Sequence, residues 1–278
     1  MLKNRLIFTL IYNNGSYMLS RNFRIQTVGD LDWLKENYNF NAIAFSIDEL
    51  VVLNVERKHK NIDKFSDHLI QLSKNCFLPI SAGGGIRSLE DGYKLLNSGV
   101  DKLVVNTPII EQPELVTELA RTFGNQCIIA SIDCKKEQNN YSVYIQDGSK
   151  NTNLTLEEVI KKAEFLGVGE IYLTSMERDG TGQGLDMELI RKASHLTKLP
   201  IIASGGVGKY EHFVECIKDG YAVATANIYN FIVDGLIKAR QFIQKQGIEL
   251  ATWDYHLTGL QNYFKNNNQV IKNNKTEL

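Results

Sequence analysis

Two glycine-rich segments, GGGIRS (Gly83 to Ser88) and SGGVGK (Ser204 to Lys209), are the residues of this chain best suited to holding an anion. Glycine carries no Cβ, so successive backbone N–H groups can approach a phosphate, and a helix that follows directs its positive end at the same spot. The spacing repeats. Gly85 to Asn106 is 21 residues, Gly206 to Asn227 is also 21, and the two pairs are offset by 121 positions. Self-similarity at a fixed period is the mark of a duplicated unit, here two halves of about 120 residues with one phosphate loop each. A ligand with phosphates at both ends is implied. Metal chemistry is not: His59, His68, His195, His212 and His256 lack ligand spacing, and Cys76, Cys127, Cys134 and Cys216 form no CxxC pair. The cysteines read as buried free thiols of a reducing cytoplasm, and no cofactor is expected.

The elements that must position these loops alternate strictly. Short apolar runs suited to strands are LIFTLI (Leu6 to Ile11), AIAFSI (Ala42 to Ile47), LPISA (Leu78 to Ala82), KLVVN (Lys102 to Asn106), CIIASID (Cys127 to Asp133), IYLTS (Ile171 to Ser175), PIIAS (Pro200 to Ser204) and AVATA (Ala222 to Ala226). Between and after them lie segments of helical period, among them IDKFSDHLIQLSK, TLEEVIKKAEFLG and IVDGLIKARQFIQKQG. Alternation of this kind requires parallel strands joined by crossovers, and near-continuous apolar strands require cover on both faces. Eight such units predict an α/β fold, a (β/α)8 TIM barrel made of two similar half-barrels, in preference to an open doubly wound sheet. The glycine loops then fall at the C-terminal ends of the third and seventh strands, where barrel active sites form. One barrel is expected over residues 1–250, with an inserted hairpin near 135–153 turning at Asp147-Gly148, and a C-terminal extension over 251–278 that is rich in Asn and Lys.

Composition narrows the function classes. With 31 Lys+Arg against 32 Asp+Glu the net charge is −1, so no global field recruits nucleic acid or an anionic membrane. The apolar run after Arg5 is too short for export or a membrane span, which points to the cytoplasm.

The strings PISAGGGIRSLED, VDKLVVNTPIIEQPEL, FGNQCIIASIDCKK, GEIYLTSMERDGTGQG and PIIASGGVGKYEHF resemble the cyclase subunit of imidazole glycerol phosphate synthase, the HisF family, from Arg5 to about Gly247. In that family a glutaminase partner docks on the N-terminal face of the barrel and ammonia passes through the barrel. The ammonia then attacks a bis-phosphorylated ribulosyl nucleotide at the opposite face. The resemblance implies a first phosphate site at Gly85, Asn106 and Thr107. It implies a second at Asp179, Gly180, Gly206, Ala226 and Asn227, where Asn227 replaces a serine. It gives Asp133 the role of one of two catalytic aspartates, and a plain loop or helix cap is the competing account of that residue. The partner aspartate belongs at the end of the first strand, where this chain has Ile11. No shift of register supplies it, because the first acidic residue of the chain is Asp30. An active-site lysine of the family falls on Leu19, and an acidic second-strand end falls on Ile47, followed by Asp48, so the first half of the active face reads as stripped of charge.

At the opposite face the family rings its ammonia entry with four charged residues, matched here by Arg5, Ala42, Lys102 and Glu170, three of them charged. Ordinary salt bridges at the barrel bottom are the competing account. Gln126 matches a partner-contact region. An entry kept while the chemistry is altered resembles HisF paralogues that work with a glutaminase and a sugar amidotransferase in surface-glycan synthesis. The competing expectations are an ordinary histidine-pathway cyclase, with Tyr12 or Asp48 in place of the missing acid, and a non-catalytic scaffold that activates its glutaminase.

Overall fold

The computed structural model describes residues 4–37, 46–57, 60–74, 76, 78–138, 140–226 and 235–251. Its strands are β1 (Leu6–Asn13), β2 (Ser16–Arg21), β3 (Arg24–Asp30), β4 (Glu49–Asn54), β5 (Ile80–Gly83), β6 (Lys102–Val105), β7 (Ile128–Glu137), β8 (Asn140–Ile145), β9 (Lys150–Thr155), β10 (Glu170–Ser175), β11 (Ile201–Ser204) and β12 (Ala222–Thr225). Eight of them form a parallel ring in the order β1, β4, β5, β6, β7, β10, β11, β12, closed where Ile7 of β1 pairs with Ala224 of β12. This is a (β/α)8 barrel. Helices cover its outside and start at side-chain caps: Asn61 for Ile62–Ser73, Ser88 for Leu89–Leu96, a Thr155/Glu158 capping box for Leu156–Phe165 and Asp186 for Met187–Leu196. Among the described residues no helix is long and apolar enough to cross a membrane.

Alternation along each strand sorts the apolar residues into two separate clusters. Leu6, Phe8 and Leu10 of β1 pack outward with the helices, whereas Ile7 joins Val51, Val104, Ile129, Tyr172, Ile202, Ala222 and Ala224 inside the barrel. Every barrel strand except β5 gives a residue to this inner cluster, and this is why most of the strands read as nearly unbroken apolar runs.

The inserted hairpin is β8–β9, turning through Gln146, Asp147 and Gly148 at φ 55°, 55° and 75°. An unexpected second hairpin, β2–β3, leaves β1 in the same way. Antiparallel pairing begins at Ile11 with Met18 in the first half and at Asp133 with Tyr144 in the second, so Ile11 and Asp133 stand at corresponding places in the two half-barrels. The sequence does carry a signal for the turn that leads from β1 into this hairpin, Asn14-Gly15, with φ of 47° and 89°, the dipeptide favoured in tight strand turns, whereas the β2–β3 turn itself runs through Asn22 and Phe23.

The second barrel strand corrects the reading of AIAFSI. Residues 42–45 lie outside the described residues, Ser46 is in a turn, and the strand is ELVVLN, Glu49–Asn54, paired with β1 from Ile7–Glu49 to Tyr12–Asn54. Both are short, largely apolar runs, and AIAFSI is the more apolar of the two. Register with β1 decides between them. Of the expected C-terminal extension, only Ala251 is among the described residues.

Candidate functional site

A cavity of about 760 Å³ opens at the C-terminal ends of the barrel strands. Its floor includes Thr9, Tyr172, Thr174 and Ser204, and its walls include Ile11, Leu53, Gly83, Gly84, Gly85, Asn106, Thr107, Asp133 and Asp179. Asp133 projects inward from β7 and is 8% exposed. Asn106, at the end of β6, donates from Nδ2 to the Ser131 carbonyl at 2.9 Å and to Asp133 Oδ2 at 3.3 Å, so it orients the carboxyl. Burial pushes that carboxyl up to about 7; Asp147 and Asp179 add repulsion, while Lys60 and a hydrogen bond from Thr174 oppose the rise. A group half-protonated near neutrality can both take and return a proton there.

Gly85, Asn106 and Thr107, expected to form a first anion site, line one side of the cavity together. Gly84 and Gly85 have φ of 98° and 97°, and a Cβ on Gly84 would fall 2.1 Å from the Asn54 carbonyl oxygen. Only glycine passes here. The second set is less unified. Asp179 and Ala226 line the cavity, and Gly180 and Gly206 do not. A Cβ on Gly206 would meet the Gly184 carbonyl oxygen at 2.1 Å, because the loop after β10 folds against the second glycine loop. Asn227 lies outside the described residues. The Asp179 carboxylate is turned to the β2–β3 hairpin, accepting from Ser20 Oγ and from the Phe23 N–H at 3.1 Å, and this engages the side chain expected beside a phosphate.

Ile11 stands in the cavity wall, 9% exposed, a hydrocarbon at the position to which the resemblance assigns a second acid. The first-half side is nevertheless charged, contrary to the sequence reading: Glu56, Arg57, Lys60 and Arg87 all line the cavity. Lys60 bridges the halves, donating to the Asn54 carbonyl at 2.8 Å and to Asp147 Oδ1 on the β8–β9 turn at 2.7 Å. No motif flags Lys60, and Asp147 is marked only as part of a turn signal. Both sit in loops of irregular period, and only folding brings positions 60 and 147 into contact. Asp48, suggested as a replacement acid, is at the barrel's other end, accepting from the Leu6 N–H at 2.8 Å and from Arg240 at 3.1 Å. Tyr12, the other suggestion, stacks on Phe65 and His68 and is not among the cavity residues.

The opposite mouth is closed by charge. Arg5 binds Glu49 at 2.7 Å and Glu170, and Lys102 binds Glu170 at 3.1 Å and lies 3.6 Å from Glu49. The fourth charged member of this ring is therefore Glu49. Ala42 was assigned there by misplacing the second strand, and with Glu49 in place two cations face two carboxylates. Arg5 and Glu170 are 3% and 0% exposed, where an unbalanced charge would be costly. Arg5 Nε and Glu49 Oε2 remain without hydrogen bonds. Gln126 is exposed on the same face, in the turn Asn125–Cys127 that leads into β7.

A closed barrel with a charged ring below and a glycine-lined cavity above is the arrangement implied by the sequence strings. Residues 35–230 match the histidine biosynthesis protein family. The chain belongs to that family. It is 41% identical over 256 residues, 91% of this chain and 95% of the relative, to a protein of Parasynechococcus marenigrum (strain WH8102) provisionally named imidazole glycerol phosphate synthase subunit hisF2. It is 39% identical over 204 residues, 73% of this chain and 81% of the relative, to the imidazole glycerol phosphate synthase subunit HisF of Pyrobaculum aerophilum. This member of the histidine biosynthesis family is thus a HisF-type barrel, and Ile11 and Leu19 mark it as a divergent paralogue.

Proposed function

We propose that this barrel is the ammonia-receiving subunit of a cytoplasmic glutamine amidotransferase system. It takes ammonia from a glutaminase docked over Arg5, Glu49, Lys102, Glu170 and Gln126 and delivers it for amidation of a phosphate-bearing sugar in surface-glycan synthesis. The observation that carries the reading is the balanced ring of Arg5, Glu49, Lys102 and Glu170 at one end of the barrel, with Ile11 facing the cavity at the other. A ring with two unsatisfied buried atoms, Arg5 Nε and Glu49 Oε2, has hydrogen-bonding capacity to spare for a small polar guest. In the cavity Asp133 relays protons while Gly85, Asn106, Thr107 and the neighbouring Arg87 hold a phosphate.

The second reading is the histidine-pathway cyclase, converting the bis-phosphorylated ribulosyl nucleotide and ammonia into imidazole glycerol phosphate and an aminoimidazole carboxamide nucleotide. One observation favours it: Asp147 and Asp179 are close enough to Asp133 to raise its pKa, so carboxylates other than the missing one share its cavity. Against it, Asp147 is engaged by Lys60 and Asp179 by Ser20 and Phe23.

Purified barrel supplied with ammonium and the ribulosyl nucleotide separates the two. Loss of one general acid/base predicts turnover about 10²–10⁴-fold below that of an ordinary cyclase, and Ile11→Asp should recover part of it. Turnover equal to an ordinary cyclase refutes the proposal.

A further inference from the structure

The three cations that line the cavity among the described residues all come from one side of it. Arg57 and Lys60 follow β4, and Arg87 follows the glycines after β5. These two segments are packed together. A Cβ on Gly84 would fall 2.1 Å from the Asn54 carbonyl oxygen, and one on Gly85 would fall 2.9 Å from Lys60 Cβ. The cations are therefore tethered within a few residues of the glycine loop. Lys60 is already taken by Asp147 at 2.7 Å. Arg57 donates from Nη2 to the Phe23 carbonyl at 3.0 Å, and Arg87 is engaged through its backbone N–H, which donates to Asp91 at 2.9 Å. Neither guanidinium meets a carboxylate among the described residues, and both are exposed, outward of the half-buried Asn106 and Thr107. Of the remaining acids on this side, Glu111 is held by Lys150 at 2.7 Å, which leaves Glu56 to offset one of the two arginines. A surplus of positive charge remains, and the backbone N–H groups of the loop add to it.

The far side has the opposite sign. Asp133 and Asp179 line it without a cation from their own half among the described residues, and Gly180 and Gly206, expected to form a second anion loop, are not part of the lining. Ser20 and the Phe23 N–H fix the Asp179 carboxylate in place. A phosphate at that end would face a carboxylate that cannot turn away, in a partly buried site where like charges repel more strongly than in water. The cavity is thus polarised. Two phosphates at opposite ends of one ligand do not fit it.

We propose that the ligand of this cavity carries its phosphates side by side, as an organic diphosphate held on the side of Arg57 and Arg87. The inner phosphate meets Gly85, Asn106, Thr107 and Arg87, and the outer one lies at the rim between Arg87 and Arg57. The planar fork of an arginine matches two phosphate oxygens at once, so a second guanidinium outward of a completed phosphate site suits a second, adjoining phosphate. The part of the ligand over Asp133 and Asp179 is uncharged and bears hydroxyls, which donate to carboxylates. This narrows the phosphate-bearing sugar of the proposed function to a sugar joined to a diphosphate, and in that respect rests on that reading; the polarity of the cavity does not.

Calorimetric titration of the purified barrel at fixed ionic strength, without glutaminase or ammonia, tests the proposal with three probes. These are inorganic pyrophosphate, inorganic phosphate and fructose 1,6-bisphosphate, which has as many phosphates as pyrophosphate but holds them apart. Pyrophosphate should bind about tenfold or more tightly than either of the others, the worth of one further charge-assisted contact. Arg57→Gln should weaken pyrophosphate about tenfold and phosphate by less than about threefold, whereas Arg87→Gln should weaken both. Both arginines are exposed, so the thermal midpoints of the variants should match that of the wild type. Bisphosphate bound as tightly as pyrophosphate overturns the proposal and restores a ligand charged at both ends, with the ammonia route untouched. Absence of pyrophosphate binding, or an affinity indifferent to Arg57→Gln, overturns it as well. Failure of the ammonia route would leave all of these affinities as they are.

Discussion

Replacing Asp133 with asparagine should stabilise the protein, and more so at high pH. The carboxyl is raised from an ordinary 3.8 to about 7, chiefly by burial. Its folded-state value lies above its unfolded one, so the stability it contributes is present in full below about pH 4 and is lost as pH rises through about 7. At 1.36 kcal/mol per tenfold change in proton affinity, the charged carboxylate costs the folded state about 4 kcal/mol above pH 8. Water in the adjoining cavity lowers this, and about 2–4 kcal/mol is expected. The asparagine side chain of the variant is nearly isosteric and can still accept from Asn106, so packing changes little. Denaturant unfolding of wild type and Asp133→Asn at about pH 5.5 and about pH 8.5 should show the variant's advantage widening by about 2 kcal/mol. A constant difference across that range would mean that Asp133 titrates as an ordinary exposed carboxylate, and the account of the cavity as a low-dielectric site would be wrong.

Glu170→Gln leaves Arg5 and Lys102 sharing one carboxylate in a buried ring; a loss of about 3–5 kcal/mol is expected from denaturant midpoints, and a change within error would show the ring to be solvated. Gly206→Ala and Gly220→Ala both force a side chain onto left-handed backbone, at φ of 111° and 86°, but only Gly206 has a carbonyl oxygen 2.1 Å from the new Cβ. Gly220→Ala should cost about 1–2 kcal/mol and Gly206→Ala clearly more, and thermal midpoints in the reverse order would contradict the packing of the second glycine loop. His212 Nδ1 accepts from the N–H groups of Gly208 at 3.2 Å and Lys209 at 3.3 Å, and burial, aided by the Lys209 charge, lowers its pKa below 6.5. A depressed histidine contributes stability that is present above its unfolded pKa and is lost as pH falls through the folded one. Amide exchange at Gly208 and Lys209, corrected for intrinsic rate, should therefore lose protection in acid, and protection that persists in acid at the level of neutral pH would rule out imidazole as the cap.

What the sequence determined by itself was the periodic part of this protein. Apolar strands alternating with amphipathic helices specify a parallel barrel, because each strand must bury two faces, and the doubled glycine loops specify two half-barrels, because a repeat of spacing is readable without contacts. Asp133 and Ile11 were legible for the same reason, each lying at the end of a clear strand. Register was not: AIAFSI and ELVVLN are both short apolar runs, and only pairing with β1 put Glu49 in the charged ring and removed Ala42 from it. Nor could the chain order show that Lys60 meets Asp147, or that Tyr172 joins Thr9 and Ser204. Those pairs are separated by tens of residues or more, and their meeting depends on the closure of the barrel, a property of all eight strands together. Local pattern therefore chose the architecture, and tertiary closure decided which charges and hydroxyls share a space.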